Sequence, residues 1–504
     1  MDDEKAMKNS GIPASPILNT ENFPFVHSFA NLPESFYTRL NPDPLPSPYL
    51  VCASDSAAGL IGLDPSVFAE TEFINTFSGN RLPPQALPLA AVYSGHQFGE
   101  WAGQLGDGRA HLLGEVQTGS GPMELQLKGS GQTPYSRMGD GRAVLRSSIR
   151  EFLCCEAMAG LGIPTTRALC VIGSDLPVIR ETVETAAVVT RIAPSFVRFG
   201  SFEHWYYLDR NDELNVLADF VINRYYPQLR EQTNPYQALL AEVTKRTAHL
   251  VAHWQTVGFM HGVMNTDNMS VLGLTIDYGP FGFMEAFDSQ HICNHSDQLG
   301  RYAYNMQPQV AHWNCRALGQ ALLPLIGTVE DAQSALACFS TEFTNKMSEL
   351  LHAKLGLWSR QPEDGEMIES MFALLQASHA DFTLFFRRLG GIQIESTAND
   401  ELLCKLFPEH VSLEAWLVLY RQRLRQENSQ DEARMAAMNA CNPKYVLRNH
   451  LAQIAIEKAQ SKDFSEIRKL LTILQRPFDD QPENSGYAEP SRDVARNLEI
   501  SCSS

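Results

Sequence analysis

The residue pattern of this chain changes character once along its length, and that change limits the folds open to it. Between residues 86 and 200, short apolar runs such as Leu125-Gln-Leu127 and Ala187-Val-Val189 alternate with glycine clusters, the pattern of strands joined by tight turns. After about residue 235 the period becomes helical. Leu239, Leu240, Val243, Leu250, Val251 and Trp254 fall at spacings of three, four and seven, one apolar stripe of a long helix. Residues 258–290 return to short strands and glycines, and amphipathic helices dominate from about 315 to 475, broken near 361–365, 390–391 and 442–443. The expectation is an α/β chain of the α+β kind with a large helical C-terminal region. Its parts are an irregular N-terminal arm (1–60), a strand-rich lobe (61–200), a second lobe with short strands and glycine-rich loops (201–330), a helical region (331–480) and a loose tail with Cys502 (481–504).

Charge and cysteine usage narrow the partners. With 40 Lys+Arg against 58 Asp+Glu, the formal charge is 40 − 58 = −18, which disfavours a nucleic-acid partner. No stretch approaches the roughly 20 apolar residues of a membrane span, and the first ten residues, MDDEKAMKNS, lack the apolar core of a signal peptide. The expected location is the cytoplasm, with no membrane partner and a monomeric chain. Ten cysteines occur without any C-x-x-C pair, so they read as reduced, mostly buried thiols.

Three constellations carry chemistry. The first is Gly103-Gln-Leu-Gly106-Asp-Gly108-Arg109 with a second run, Gly119-Ser-Gly121. Glycines let backbone N–H groups approach phosphate, and an adjacent arginine offers a planar fork for its oxygens. Alone, such hairpins are more often plain turns. The second is Met123-Glu-Leu-Gln-Leu-Lys128 followed by Glu151. Strand alternation puts Leu125 and Leu127 on one face and Glu124, Gln126 and Lys128 on the other. Glu151 is expected in the first turn of a helix beginning near Ser147, either as a dipole-complementing surface carboxylate or as the partner that holds Lys128. The third is His261-Gly-Val-Met-Asn-Thr-Asp267-Asn268, then Asp277-Tyr-Gly279. A lysine, a glutamate, an asparagine seven residues after a histidine, and an Asp-Tyr-Gly occur in protein-kinase order. Asn268 and Asp277 offer hard oxygens suited to Mg²⁺. One position departs from that pattern: the usual catalytic-loop aspartate is replaced by Val263, so Asp267 is the available proton acceptor and ordinary phosphoryl transfer is disfavoured.

With these residues assembled, and with Tyr93-Ser-Gly-His-Gln-Phe-Gly99, Leu127-Lys-Gly-Ser-Gly-Gln-Thr-Pro-Tyr-Ser-Arg137, Cys293-Asn-His-Ser-Asp297 and Asn442-Pro-Lys-Tyr-Val-Leu-Arg-Asn449, the chain resembles the selenoprotein O (YdiU-like) family over nearly its whole length. The resemblance implies a protein-kinase-like bilobal fold that transfers AMP, or UMP in some members, to Tyr, Ser or Thr hydroxyls of proteins from ATP or UTP with Mg²⁺ or Mn²⁺. In that family the nucleotide is flipped to expose its α-phosphate. Carried onto matching positions, the resemblance implies that Gly106, Gly108 and Arg109 line the nucleotide site, Lys128 binds phosphate with Glu151 orienting it, and Asp140 and Gly141 hold the adenosine end. Arg191 and Arg198 would clamp the other phosphates, Asp267 would accept the proton, and Asn268 and Asp277 would hold the metal. It also implies a redox pairing of Cys293 with Cys502, where some relatives carry selenocysteine. A metal-dependent phosphotransferase of the same fold and a non-catalytic nucleotide-binding scaffold are the competing readings.

Overall fold

In the computed structural model, which describes residues 23–119, 121–407 and 410–491, most of the strand-like segments join one antiparallel sheet. Its strands are β1 (Phe25–Val26), β2 (Tyr37–Arg39), β3 (Tyr49–Ala53), β4 (Leu89–Ala91), β7 (Ala110–Thr118), β8 (Gly121–Lys128), β9 (Ala143–Val144), β10 (Arg167–Ile179) and β11 (Val183–Ala193). The main path runs β2-β4-β7-β8-β11-β10-β3, with β1 added on β7 and β9 on β11, nine strands in all. Between β4 and β7, β5 (Ser94–Gln97) and β6 (Glu100–Gln104) form a separate hairpin, and β12 (Phe259–Met260) pairs with β13 (Gly282–Phe283). The protein is a mixed α+β structure, with helices predominating after β11.

Alternation along β8 works as its sequence requires. Leu125 and Leu127 are buried with Phe73, Phe77, Leu113, Val188 and Ile192 in a core on one face of the sheet. Glu124, Gln126 and Lys128 point to the other face, which is also covered, so a polar strand face here lies inside the molecule. The segment expected as an irregular arm behaves differently: residues 25–53 supply three strands. Tyr49-Leu-Val-Cys-Ala53 pairs with β10 at Tyr49↔Gly173 and Ala53↔Cys170. A thirteen-residue strand exposes a long edge whose N–H and C=O groups need partners, and a short aromatic and β-branched run inside a proline-rich context meets that need.

The helix Leu145–Gly160 packs on the sheet through Ile149, Phe152, Leu153, Ala157 and Met158. It begins before the expected start, so Glu151 lies beyond the first turn and is buried instead of capping a surface helix end. Helices Asn449–Gln460 and Ser465–Leu474 press on it from outside; a Cβ on Gly160 would lie 2.2 Å from the Leu474 carbonyl oxygen. Arg150 stacks on Phe281 and donates to its carbonyl at 2.8 Å, with Asn449 Oδ1 at 3.5 Å. The long helix Pro235–Val257 starts from an Asn234 cap that accepts from Gln237 N, carries proline in its first turn, and ends at Gly258 in the left-handed region. It delivers the chain directly into β12 and the loop that follows. A second core, formed by Phe382, Phe385, Leu413, Trp416 and their neighbours, organises the later helices. Cys293 is buried beside the Pro280 carbonyl, while Cys502 lies outside the described residues.

Gly200, in the first turn of the helix Phe199–Tyr207, is the tightest approach near the cleft: an added Cβ would lie 2.0 Å from the Ser94 carbonyl oxygen and 3.4 Å from Asp267 Cα. Gly200→Ala should therefore destabilise the fold by about 1–3 kcal/mol through overpacking and displace β5 relative to the 261–268 loop, read as a lower urea midpoint together with reduced turnover.

Candidate active site

Sheet register brings two cations together. Arg191 on β11 is the direct antiparallel partner of Gln126 on β8, two residues from Lys128, so all three side chains occupy one sheet face. Lys128 Nζ lies 2.7 Å from Glu151 Oε2 and 3.3 Å from Asp277 Oδ1. The Arg191 guanidinium pairs with Asp277 Oδ1, Glu151 Oε1 and Gln126 Oε1. A third cation, Arg198, donates to Asp277 Oδ2 at 2.6 Å and to the Asp267 carbonyl at 2.8 Å, and stacks on Tyr93. Both arginines are 2% exposed.

Asp277 is the acceptor common to all three, held at φ +57°, a backbone region that aspartate tolerates better than most residues. Burial pushes its carboxyl up, but Arg191, Arg198 and Lys128 outweigh burial and hold it well below the usual carboxylate range. It is a fixed anion at any physiological pH. The preceding loop is anchored to the same place. His261, kept neutral by burial, donates through Nε2 to the Ile276 carbonyl at 2.9 Å. The Asn268 amide N–H donates to the Val263 carbonyl at 2.9 Å, which leaves its carbonyl oxygen as the group available to the cavity.

Asp267, on the 3₁₀ turn Thr266–Asn268, has the opposite electrostatics. Burial raises its carboxyl to about 7 although Arg198 pulls it down, with the Asp277 charge adding to the rise. Gln97 Nε2 lies 3.5 Å from Oδ2, while Oδ1 is buried and has no hydrogen-bond partner among the described residues. A carboxyl that lines the cavity and titrates near neutrality is equipped to receive a proton from something that enters the site.

These groups face one cavity of about 570 Å³. Gly106, Gly108, Arg109, Asp140 and Gly141 line it with Lys128, Glu151, Arg191, Asp267, Asn268 and Asp277. Arg198 does not: it stands behind the wall, holding Asp277 and the Asp267 backbone. Gly108 is necessary for local packing, because a Cβ there would lie 2.8 Å from the Tyr135 carbonyl oxygen. Gly119 and Gly121 are elsewhere. Thr118 pairs with Gly121 at one end of the β7–β8 hairpin and Ala110 with Lys128 at the other, roughly 20 Å apart at strand rise. Among the described residues the Arg109 guanidinium has neither an ion pair nor a hydrogen-bond acceptor, so its fork is open to an anion in the cavity. Asp140, by contrast, is held by Arg180 through both oxygens, at 2.7 and 2.9 Å.

Several supports escape a reading of motifs alone. Asp107, between the two cavity glycines, accepts from Ala91 N and Gln126 Nε2 at 3.1 and 3.2 Å and stiffens the hairpin. The Thr266 hydroxyl accepts from His96 N at 2.7 Å, and Gly95 lies against Asp267 so closely that a Cβ would come 3.0 Å from Oδ1. Asp107 and Thr266 lie inside the 103–109 and 261–268 motifs, and Gly95 and His96 inside the 93–99 segment, but no motif marks them as supports.

A strand lysine, an arginine whose fork is open to the cavity, a fixed anion and a neutral-range carboxyl around one cavity suit a group-transfer enzyme that takes a polyanionic substrate. Comparison with known proteins gives the family. The model described as protein adenylyltransferase SelO matches residues 19–475, and the chain belongs to that family, whose members transfer nucleotides. A protein named protein nucleotidyltransferase YdiU from Herminiimonas arsenicoxydans is 63% identical over 500 residues, 98% of this chain and 100% of the relative. Relatives of the same name from Burkholderia ambifaria and Cupriavidus pinatubonensis are each 57% identical, covering 95% and 96% of this chain and 96% and 95% of their own.

Because its folded-state carboxyl is raised, Asp267 contributes no penalty below its unfolded value, and its burial costs stability as pH rises through about 7. Asp267→Asn should therefore raise the melting temperature at pH 8 and change it little at pH 4, measured by thermal denaturation at both. Asp277→Ala leaves buried Arg198 without a carboxylate and Arg191 with Glu151 alone and should cost about 3–5 kcal/mol, seen as a lower denaturant midpoint.

Proposed function

We propose that this chain transfers a nucleoside monophosphate, AMP or UMP, from the triphosphate to Tyr, Ser or Thr hydroxyls of proteins and releases pyrophosphate. A protein-kinase-like bilobal arrangement, with the sheet above the cleft and the 261–279 loops below, fits this reading. The observation that carries it is Asp267, whose carboxyl, raised by burial, lines one cavity with Lys128, Arg109 and Arg191.

The acceptor hydroxyl gives its proton to the Asp267 carboxylate as its oxygen attacks the α-phosphorus, and the bond from that phosphorus to pyrophosphate breaks. Lys128, held by Glu151, and the open fork of Arg109 take up charge that grows on the departing pyrophosphate. Gly106 and Gly108 bring the hairpin backbone close to the nucleotide, and Asp140 with Gly141 borders its adenosine or uridine end. Arg191 and Arg198 act through Asp277, keeping it ionised. Val263 lines the cleft where a kinase would carry its acid, which weighs against γ-phosphoryl transfer.

The donor set fits a hard divalent cation: Asn268 lines the cavity with its amide nitrogen already bonded to Val263, and Asp277 is ionised. When bound there, Mg²⁺ or Mn²⁺ would polarise phosphate oxygens. Asp277 already faces three cationic side chains, so a divalent ion without polyphosphate meets net repulsion. Mn²⁺ affinity followed by titration calorimetry should rise about tenfold or more when a non-hydrolysable nucleoside triphosphate is present, and Asp277→Asn should remove that gain.

Label from [α-³²P]ATP or [α-³²P]UTP on protein is the expected outcome; label from [γ-³²P]ATP would overturn the reading. Asp267→Asn should lower kcat by about 10²–10⁴, and wild-type kcat should climb as pH passes through about 7, because the base acts in its ionised form.

A further inference from the structure

Beyond Phe98 the cleft adjoins a second pocket of about 710 Å³, and Phe98 lines both. Its backbone is unusual. Gln97 pairs with Glu100, so Phe98 and Gly99 form a two-residue hairpin turn with φ of +51° and +89°. Such turns favour asparagine or aspartate before the glycine, and a bulky aromatic at positive φ is strained. The turn is held from both sides: Phe98 N donates to Asn265 Oδ1 at 3.1 Å and to the Tyr302 hydroxyl at 3.0 Å, and a Cβ on Gly99 would lie 2.9 Å from the Arg301 guanidinium carbon. The strain keeps a half-exposed aromatic ring on the partition between the two pockets, one residue from the glutamine that contacts Asp267.

The second pocket is cationic in a chain of charge −18. Arg301 stacks on Trp313 at 4.8 Å and on Tyr302 at 5.9 Å, with its Nε buried and unpartnered. Arg316, three residues after Trp313 on the helix Gln307–Ile326, is exposed. Neither arginine forms an ion pair among the described residues. The carboxylate that lines the pocket, Asp297, is committed to backbone, accepting from Arg301 N at 3.0 Å and Tyr302 N at 2.7 Å. Two guanidinium groups without anions, beside an aromatic partition that opens onto the proton acceptor, call for a negatively charged ligand that reaches past Phe98.

We propose that this pocket is the acceptor subsite and that it selects protein segments carrying Asp or Glu beside the hydroxyl to be modified. The inference rests on the transfer reading above and specifies its acceptor. The carboxylate pairs with Arg301 and Arg316, and the neighbouring hydroxyl passes Phe98 to Asp267.

The test uses the full chain with [α-³²P]ATP or [α-³²P]UTP and two synthetic peptide pools with a central Tyr, Ser or Thr, one flanked by Glu and one by Lys. The Glu pool should be labelled with kcat/KM about tenfold above the Lys pool. Arg316→Glu, at an exposed position, should raise the KM for the Glu pool about tenfold and improve the Lys pool, with Arg316→Gln intermediate. Equal labelling of the pools by wild type would overturn the inference while leaving the transfer reading intact. A shift in the nucleotide KM of Arg316→Glu without a shift in the peptide KM would assign the pocket to a nucleotide or phosphate instead. No α-label on either pool would remove the transfer reading and this inference with it.

Discussion

One carboxylate, Asp277, receives three cations from three separate stretches of chain, and the cleft depends on that meeting. Lys128 comes from β8, Arg191 from β11, and Arg198 from the segment leading into the helix Phe199–Tyr207. Each buried arginine would cost several kcal/mol to desolvate alone. The cost is offset because one fixed anion, together with Glu151, serves Lys128 and Arg191 at once. The network thus ties the sheet to the 261–279 loops more specifically than apolar packing could, since slipping β11 by one residue would turn Arg191 to the opposite face.

The same network separates two neighbouring aspartates by function. Arg198 reaches Asp277 through its carboxylate but Asp267 only through its backbone carbonyl. One acid is therefore driven far down and the other is left high by burial. Two carboxyls whose environments push their pKa values apart take distinct roles, an anchor and a proton acceptor. Asp267 is costly to the folded state in its charged form, and that cost is the kind a catalytic position retains.

Motif order made much of the site legible before any coordinates. Lys128, Glu151, Asn268 and Asp277 stand in a recognisable succession, and alternation correctly put Lys128 opposite Leu125 and Leu127. What sequence could not give was pairing across the sheet. Arg191 joins Gln126 because β11 lies antiparallel to β8, 65 residues away in sequence, and no local pattern encodes that register. The strands at 25–53 were hidden by proline-rich surroundings and exist because the long edge of β10, the edge of β4 and the flank of β7 need partners. The glycines at 119 and 121 looked equivalent to those at 106 and 108, yet hairpin geometry sends them to the opposite end. Arg198, expected as a phosphate clamp, is not among the residues lining the cavity and donates to Asp277 and to the Asp267 carbonyl.

The helix that carries Glu151 leans on chain made three hundred residues later. Gly160 sits against the Leu474 backbone, and Arg150 bridges Phe281 to Asn449. On a ribosome, the sheet, the lysine and the 261–279 loops would all emerge while the outer flank of this helix was still bare. The nascent chain would own every reactive group and lack the buttress that fixes one of them. The setting of Glu151 against Lys128 thus leans on packing that residues 449–474 supply.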